Sequence, residues 1–149
     1  MNIRLASFLL AAASITAAAP AAAQFAKTED AIRYRQSALF LQAQQFGRVA
    51  AMANGRVPFD AASAAANAEL VAILAKLPWA GFGAGTEGGK AKPEIWKEQA
   101  RFKELSDKLQ VETEKLATVA KGGNLDAIKA QVAATGETCK SCHDAFRNR

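Results

Sequence analysis

Hydrophobic residues recur every seven positions in four separate stretches of this chain, a spacing that restricts it to long helices packed side by side. The first series, Ile32, Leu39, Phe46 and Ala53, follows Thr28, a good N-cap with Glu29 and Asp30 behind it, and ends at Asn54-Gly55. The second opens at Asp60 as N-cap, turns Ala66, Leu70, Ile73 and Leu77 inward, and is stopped by Pro78. The third enters at Pro93 and repeats Ile95, Phe102, Leu109 and Leu116 up to Gly122-Gly123. The fourth takes Asn124 as N-cap and repeats Leu125, Val132, Cys139 and Phe146. No strand-like alternation competes. The spacing predicts an all-α fold, an antiparallel up-down-up-down four-helix bundle.

The N-terminus reads as a targeting segment. Arg4 supplies a positive start, Leu5 to Ala19 an apolar run and Ala21-Ala22-Ala23 a small-residue cleavage site, so residues 1–23 are expected to be a cleaved secretory signal peptide. The apolar run is shorter than the roughly 20 residues of a spanning helix. No comparable run follows, so the mature protein is expected to have no membrane span and to sit in the periplasm. Residues 24–149 then suffice for a single domain. Basic residues number 19 against 14 acids and are scattered singly among them, without the clustered basic stripe of a nucleic-acid site.

Two further features suggest a large planar group inside the bundle. Inward positions include Ala43, Ala50, Ala66 and Ala117, which would leave a poorly filled seam where interiors normally reach close packing. The one long connection, Pro78 to Lys92, is glycine-rich and carries Trp79 and Phe82. It reads as a loop that folds back over an apolar surface, such as a cofactor edge, with glycines permitting close approach.

Cys139-Lys140-Ser141-Cys142-His143 supplies the chemistry, and it holds both cysteines and the sole histidine of the chain. This is the haem-attachment pattern. On a helix the two cysteines lie about 60° apart and His143 about 40° from Cys139, so all three side chains leave one face. The thiols can add to the two vinyl groups of a haem c, and the imidazole can reach its iron from the same side. Other readings explain less. A thioredoxin-like pair needs a βαβ unit, zinc would need a fourth ligand such as Asp144, and a disulfide here would close a very short loop. Met52 is the one candidate sulfur for a low-spin electron carrier with a sixth ligand. It falls out of register with Ile32, Leu39 and Phe46, which favours packing over ligation and leaves the iron five-coordinate.

On these residues the chain resembles cytochrome c′, the four-helix-bundle c-type cytochromes, over essentially all of residues 24–149. The markers are the attachment motif near the C-terminus, the segment Tyr34-Arg35-Gln36-Ser37-Ala38-Leu39, and Leu77-Pro78-Trp79 before a glycine-rich loop. The resemblance implies a homodimer through the first two helices and a high-spin haem that binds nitric oxide and carbon monoxide. It also implies Leu39 as the distal residue facing the iron, with Arg35 and Gln36 near the propionates. Trp79 would reach a propionate, Lys90 would lie where the loop approaches the haem, and Arg147 beside the proximal face. A distal pocket closed by Leu39 and lacking a hydrogen-bond donor would favour nitric oxide and carbon monoxide over dioxygen, on which negative charge develops. Electron exchange with periplasmic redox proteins, guided by surface lysines, is a compatible role. Catalysis is not expected, because distal acid–base chemistry calls for a second histidine or its equivalent.

Overall fold

The computed structural model describes residues 24–149, so the expected leader lies outside the described residues. Helix α1 spans Thr28–Ala53 and α2 spans Ala61–Leu74. A short 3-10 turn, Pro78–Phe82, leads into the glycine-rich loop. Then come α3 (Glu94–Lys97), α4 (Gln99–Lys121) and α5 (Leu125–Phe146). The four long helices form a ring in which α1 packs on α2 and α5, and α4 packs on the same two. This is the antiparallel four-helix bundle that the spacing predicts.

Local chemistry sets most of the boundaries. The Ser63 amide donates to Asp60 Oδ1 at 2.7 Å and the Ala127 amide to Asn124 Oδ1 at 2.9 Å, each satisfying a donor that a helix start leaves free. Gly55 and Gly123, with φ of 68° and 69°, reverse the chain after α1 and α4. Thr28 departs from expectation. Lys27 takes the cap position with no side-chain hydrogen bond, while the Thr28 hydroxyl donates to the Gly85 carbonyl at 2.8 Å. A tertiary bond to the loop has displaced the local cap.

The inward face of α2 also differs from the reading above. Ala64, Ala68, Val71, Ala72 and Ala75 are buried, whereas Ala66, Leu70, Ile73 and Leu77 are exposed. This helix is apolar nearly all round, so periodicity could not select a face; the alanines go inward because they let α1 and α4 approach closely. Leu125, read as inward on α5, is exposed as well, its place taken by Ile128. The third expected helix is broken. Glu98, at φ −110° and ψ 46°, separates the single turn of α3 from α4, and the Trp96 indole N–H donates to the Gly83 carbonyl at 2.9 Å, holding that turn against the loop. Away from the loop, the core runs through Val49, Met52, Ala64, Leu116, Ile128 and Val132.

Candidate functional site

At the loop end the bundle opens into an apolar crevice of about 580 Å³, within the roughly 300–1,000 Å³ typical of ligand pockets. Cys139, Cys142 and His143 of α5 all line it. Both thiols are free and half-buried. Burial pushes the Cys139 thiol up, and burial together with the neighbouring Cys139 pushes Cys142 up to about 11, so both are neutral thiols rather than thiolates. His143 opens onto the crevice, yet the protein around it lowers its pKa, first by desolvation and then through the positive Arg147. A neutral imidazole is the form that binds a metal. Among the described residues no group of three or more His, Cys, Asp or Glu could hold a metal ion. Asp144, the acid that a zinc site would need, instead pairs with Lys140 at 2.6 Å.

The remaining residues singled out in the sequence gather on the same crevice. Arg35, Gln36 and Leu39 line it from α1, Trp79, Phe82 and Lys90 from the loop side, and Arg147 from beyond α5. Their hydrogen bonds were less legible. Arg35 is only 2% exposed, and its Nη1 donates to the carbonyls of Gly81 and Thr86, both at 2.6 Å, and its Nη2 to that of Gly88 at 2.8 Å. The guanidinium also lies over the Phe82 ring, 4.6 Å from its centroid. Desolvation lowers its pKa, opposed by Glu87. Trp79, expected to reach a propionate, directs its indole N–H to the Ala75 carbonyl at 2.6 Å.

An aromatic wall stands behind these groups. Phe82 and Phe102 lie 4.9 Å apart, and Phe102 meets Phe146 edge-on at 5.4 Å. Gly81 permits the loop to press on α1; a Cβ there would fall 2.8 Å from the Ala31 carbonyl oxygen and 2.9 Å from Arg35 Cβ. The segment after the loop is stitched to the end of α5. The Lys92 amide donates to the Phe146 carbonyl and the Asn148 amide to that of Lys90, both at 2.9 Å. The Lys92 ammonium reaches the carbonyls of Asp144 and Ala145, at the negative end of the helix dipole.

Met52 packs, as its register predicts: it is buried in the core, does not line the crevice, and stands 13 residues or roughly 20 Å of helix from Leu39. The crevice lining also includes the polar side chains of Gln42 and Thr135.

The residues present fit a covalently held haem, since two neutral thiols and a neutral imidazole face one apolar crevice large enough for a planar ligand. A family model described as Cytochrome C' matches residues 30–147. The chain belongs to the cytochrome c′ family. The cytochrome c' of Alcaligenes xylosoxydans xylosoxydans is 49% identical, over 85% of this chain and 99% of its own length. That of Rubrivivax gelatinosus is 50% identical, over 85% and 100%. Among solved structures, the nitric oxide complex of a leucine-to-alanine mutant of cytochrome c prime from Alcaligenes xylosoxidans superposes with a TM-score of 0.81 at 48% identity, covering 85% of this chain and 99% of that one. The crystal structure of cytochrome c' from Rubrivivax gelatinosus gives 0.81 at 51%, covering 84% and 100%. The cofactor of a cytochrome c′ is covalent haem c, and both cysteines for its attachment are present.

Proposed function

We propose that this chain is a periplasmic monohaem cytochrome with a five-coordinate iron that binds nitric oxide and carbon monoxide and exchanges electrons. The observation that carries the reading is the sharing of one crevice by Cys139, Cys142 and His143 of α5 with Leu39 of α1. When bound, the haem supplies an iron that changes oxidation state and takes a small ligand. The residues do the rest. Cys139 and Cys142 would hold the haem through thioether links, and His143 would be the protein ligand to its iron. Leu39, which lines the crevice from α1, would have to move to admit a gas. Trp79 and Phe82 would pack against the ring, Arg35 and Gln36 would supply hydrogen bonds or positive charge toward the propionates, Lys90 would lie where the loop approaches the haem, and Arg147 beside the proximal face. Arg35 retains Nε and one Nη2 hydrogen for that purpose after binding the loop.

The solved nitric oxide complex of a relative supports gas binding. Export is inferred from the leader at residues 1–23, which would be removed from a single domain spanning 24–149. Among the described residues no helix is long and apolar enough to cross a membrane. The exposed Phe40, Leu41, Leu70, Ile73 and Leu77 on α1, α2 and the residues just after it support a homodimer through these helices. We assign no catalytic residue.

Absorption spectra and intact mass of protein purified from an export-competent host test the assignment. One covalently added haem and high-spin, five-coordinate spectra in both oxidation states are the expected result; an unmodified mass, or a low-spin spectrum, contradicts it. Salt-dependent electron exchange with periplasmic redox proteins would establish the carrier role, whereas tight nitric oxide binding without fast exchange would mark a gas sink or sensor.

A further inference from the structure

A buried polar side chain in the crevice has no assigned role. Gln42 is only 6% exposed and lines the crevice three residues after Leu39, on the same side of α1. The other buried polar side chains of the lining are committed elsewhere. Arg35 donates to loop carbonyls, and the Thr135 hydroxyl donates to the Gln131 carbonyl at 2.8 Å. Among the described residues the Gln42 carboxamide takes part in no hydrogen bond, and no fully enclosed side-chain nitrogen or oxygen lacks one. Its polar atoms therefore meet open space, and the open space that Gln42 lines is the crevice. Leaving an amide unpaired against apolar walls costs stability unless something in the crevice accepts from it.

We propose that Gln42 is a specificity-determining residue of the distal pocket, its carboxamide NH₂ donating a hydrogen bond to the outer atom of a ligand on the iron. This rests on the reading of Leu39 as the distal residue. A ligand admitted past Leu39 meets Gln42 next, because the two side chains project about 60° apart, one turn from each other on one helix. An amide donor discriminates by charge. Ligands that carry negative charge on their outer atom, a class that includes cyanide and dioxygen, gain a hydrogen bond that a pocket of Leu39 alone would withhold. Gln42 thus broadens the pocket beyond neutral diatomics.

The test uses the holoprotein and its Gln42→Met variant, which keeps volume and flexibility while removing the donor. The C–O stretch of the ferrous carbon monoxide complex, read by infrared or resonance Raman spectroscopy, should shift to higher frequency in Gln42→Met. It should stay in place in Gln44→Met, a control at an exposed position of α1 outside the crevice. Cyanide affinity of the ferric protein should fall roughly three- to tenfold, the size of one net hydrogen bond. A C–O stretch and a cyanide affinity both unchanged in Gln42→Met overturn the proposal. Leu39→Ala separates the two levels: faster carbon monoxide association there, with a silent Gln42→Met, removes the role of Gln42 alone. No acceleration in Leu39→Ala removes the distal assignment beneath it.

Discussion

Arg35 joins three loop carbonyls to α1 from a position sealed off from water. Replacing it with alanine strips the donor from the Thr86 carbonyl and leaves those of Gly81 and Gly88 only the longer bonds from the Thr86 hydroxyl at 3.1 Å and the Ala91 amide at 3.3 Å, so Arg35→Ala should lower stability by about 2–4 kcal/mol, read from the urea midpoint of the holoprotein. Arg35→Lys should recover only part, since a single ammonium cannot span the three carbonyls that the planar fork reaches. His143 offers a second check at this scale. Its depressed pKa means that the neutral, metal-binding form persists below the ordinary histidine value of 6.5, with burial and Arg147 as the causes. Acid displacement of the imidazole from iron should accordingly shift to higher pH in Arg147→Ala, followed by the absorption spectrum during acid titration. Single residues were the least legible part of the sequence. The Cys139, Cys142 and His143 trio is local and was plain, but the partners of Arg35 lie 46 to 53 positions away. Gln42 carries no signal of its own in the sequence, because it stands between the apolar positions Leu39 and Phe46 and an amide there reads as solvated.

Helix and loop boundaries follow mostly from near neighbours, which is why Asp60 and Asn124 could be placed as caps beforehand. Thr28 and Glu98 show where that fails: the Thr28 hydroxyl goes to a loop carbonyl instead of capping, and the helix that opens after Pro93 breaks at Glu98. The Asp60 carboxylate is held below its ordinary value of 3.8 by hydrogen bonds from the Ser63 hydroxyl and then the Ser63 amide. A group depressed in the folded state contributes stability that is complete above its unfolded pKa and is lost as pH falls through the folded one. Between about pH 4 and pH 2 the Asp60→Asn variant should therefore lose less stability than the parent, as measured by urea unfolding at a series of pH values. In the loop, Gly81→Ala forces a methyl group against the Ala31 carbonyl and Arg35 Cβ. Overpacking of this kind costs about 1–3 kcal/mol, and it should also loosen the aromatic wall, visible as a weaker near-ultraviolet circular dichroism signal.

Taken as a whole the bundle was legible as four long helices, but not in which way α2 faces. Leu70, Ile73 and Leu77 form one stripe at helical spacing, and from sequence that stripe and the alanine face are equally good candidates for the interior. Exposure at Ile73 reaches 54%, and the stripe lies on the helix pair through which the dimer is proposed. Ile73→Lys should therefore give a monomer by sedimentation equilibrium while leaving the haem spectrum intact; a dimer that persists unchanged places the subunit contact elsewhere. Finally, the anchoring of α1 by Arg35 affects how a gas gets in. With the backbone pinned one turn before Leu39, and Leu39 as the proposed distal residue, admission would be left to side-chain rotation, which belongs to picoseconds and nanoseconds, rather than to helix displacement in microseconds or slower. Uptake would then depend on how rarely the leucine rotamer opens, giving a steric toll set by ligand size and nearly independent of solvent viscosity.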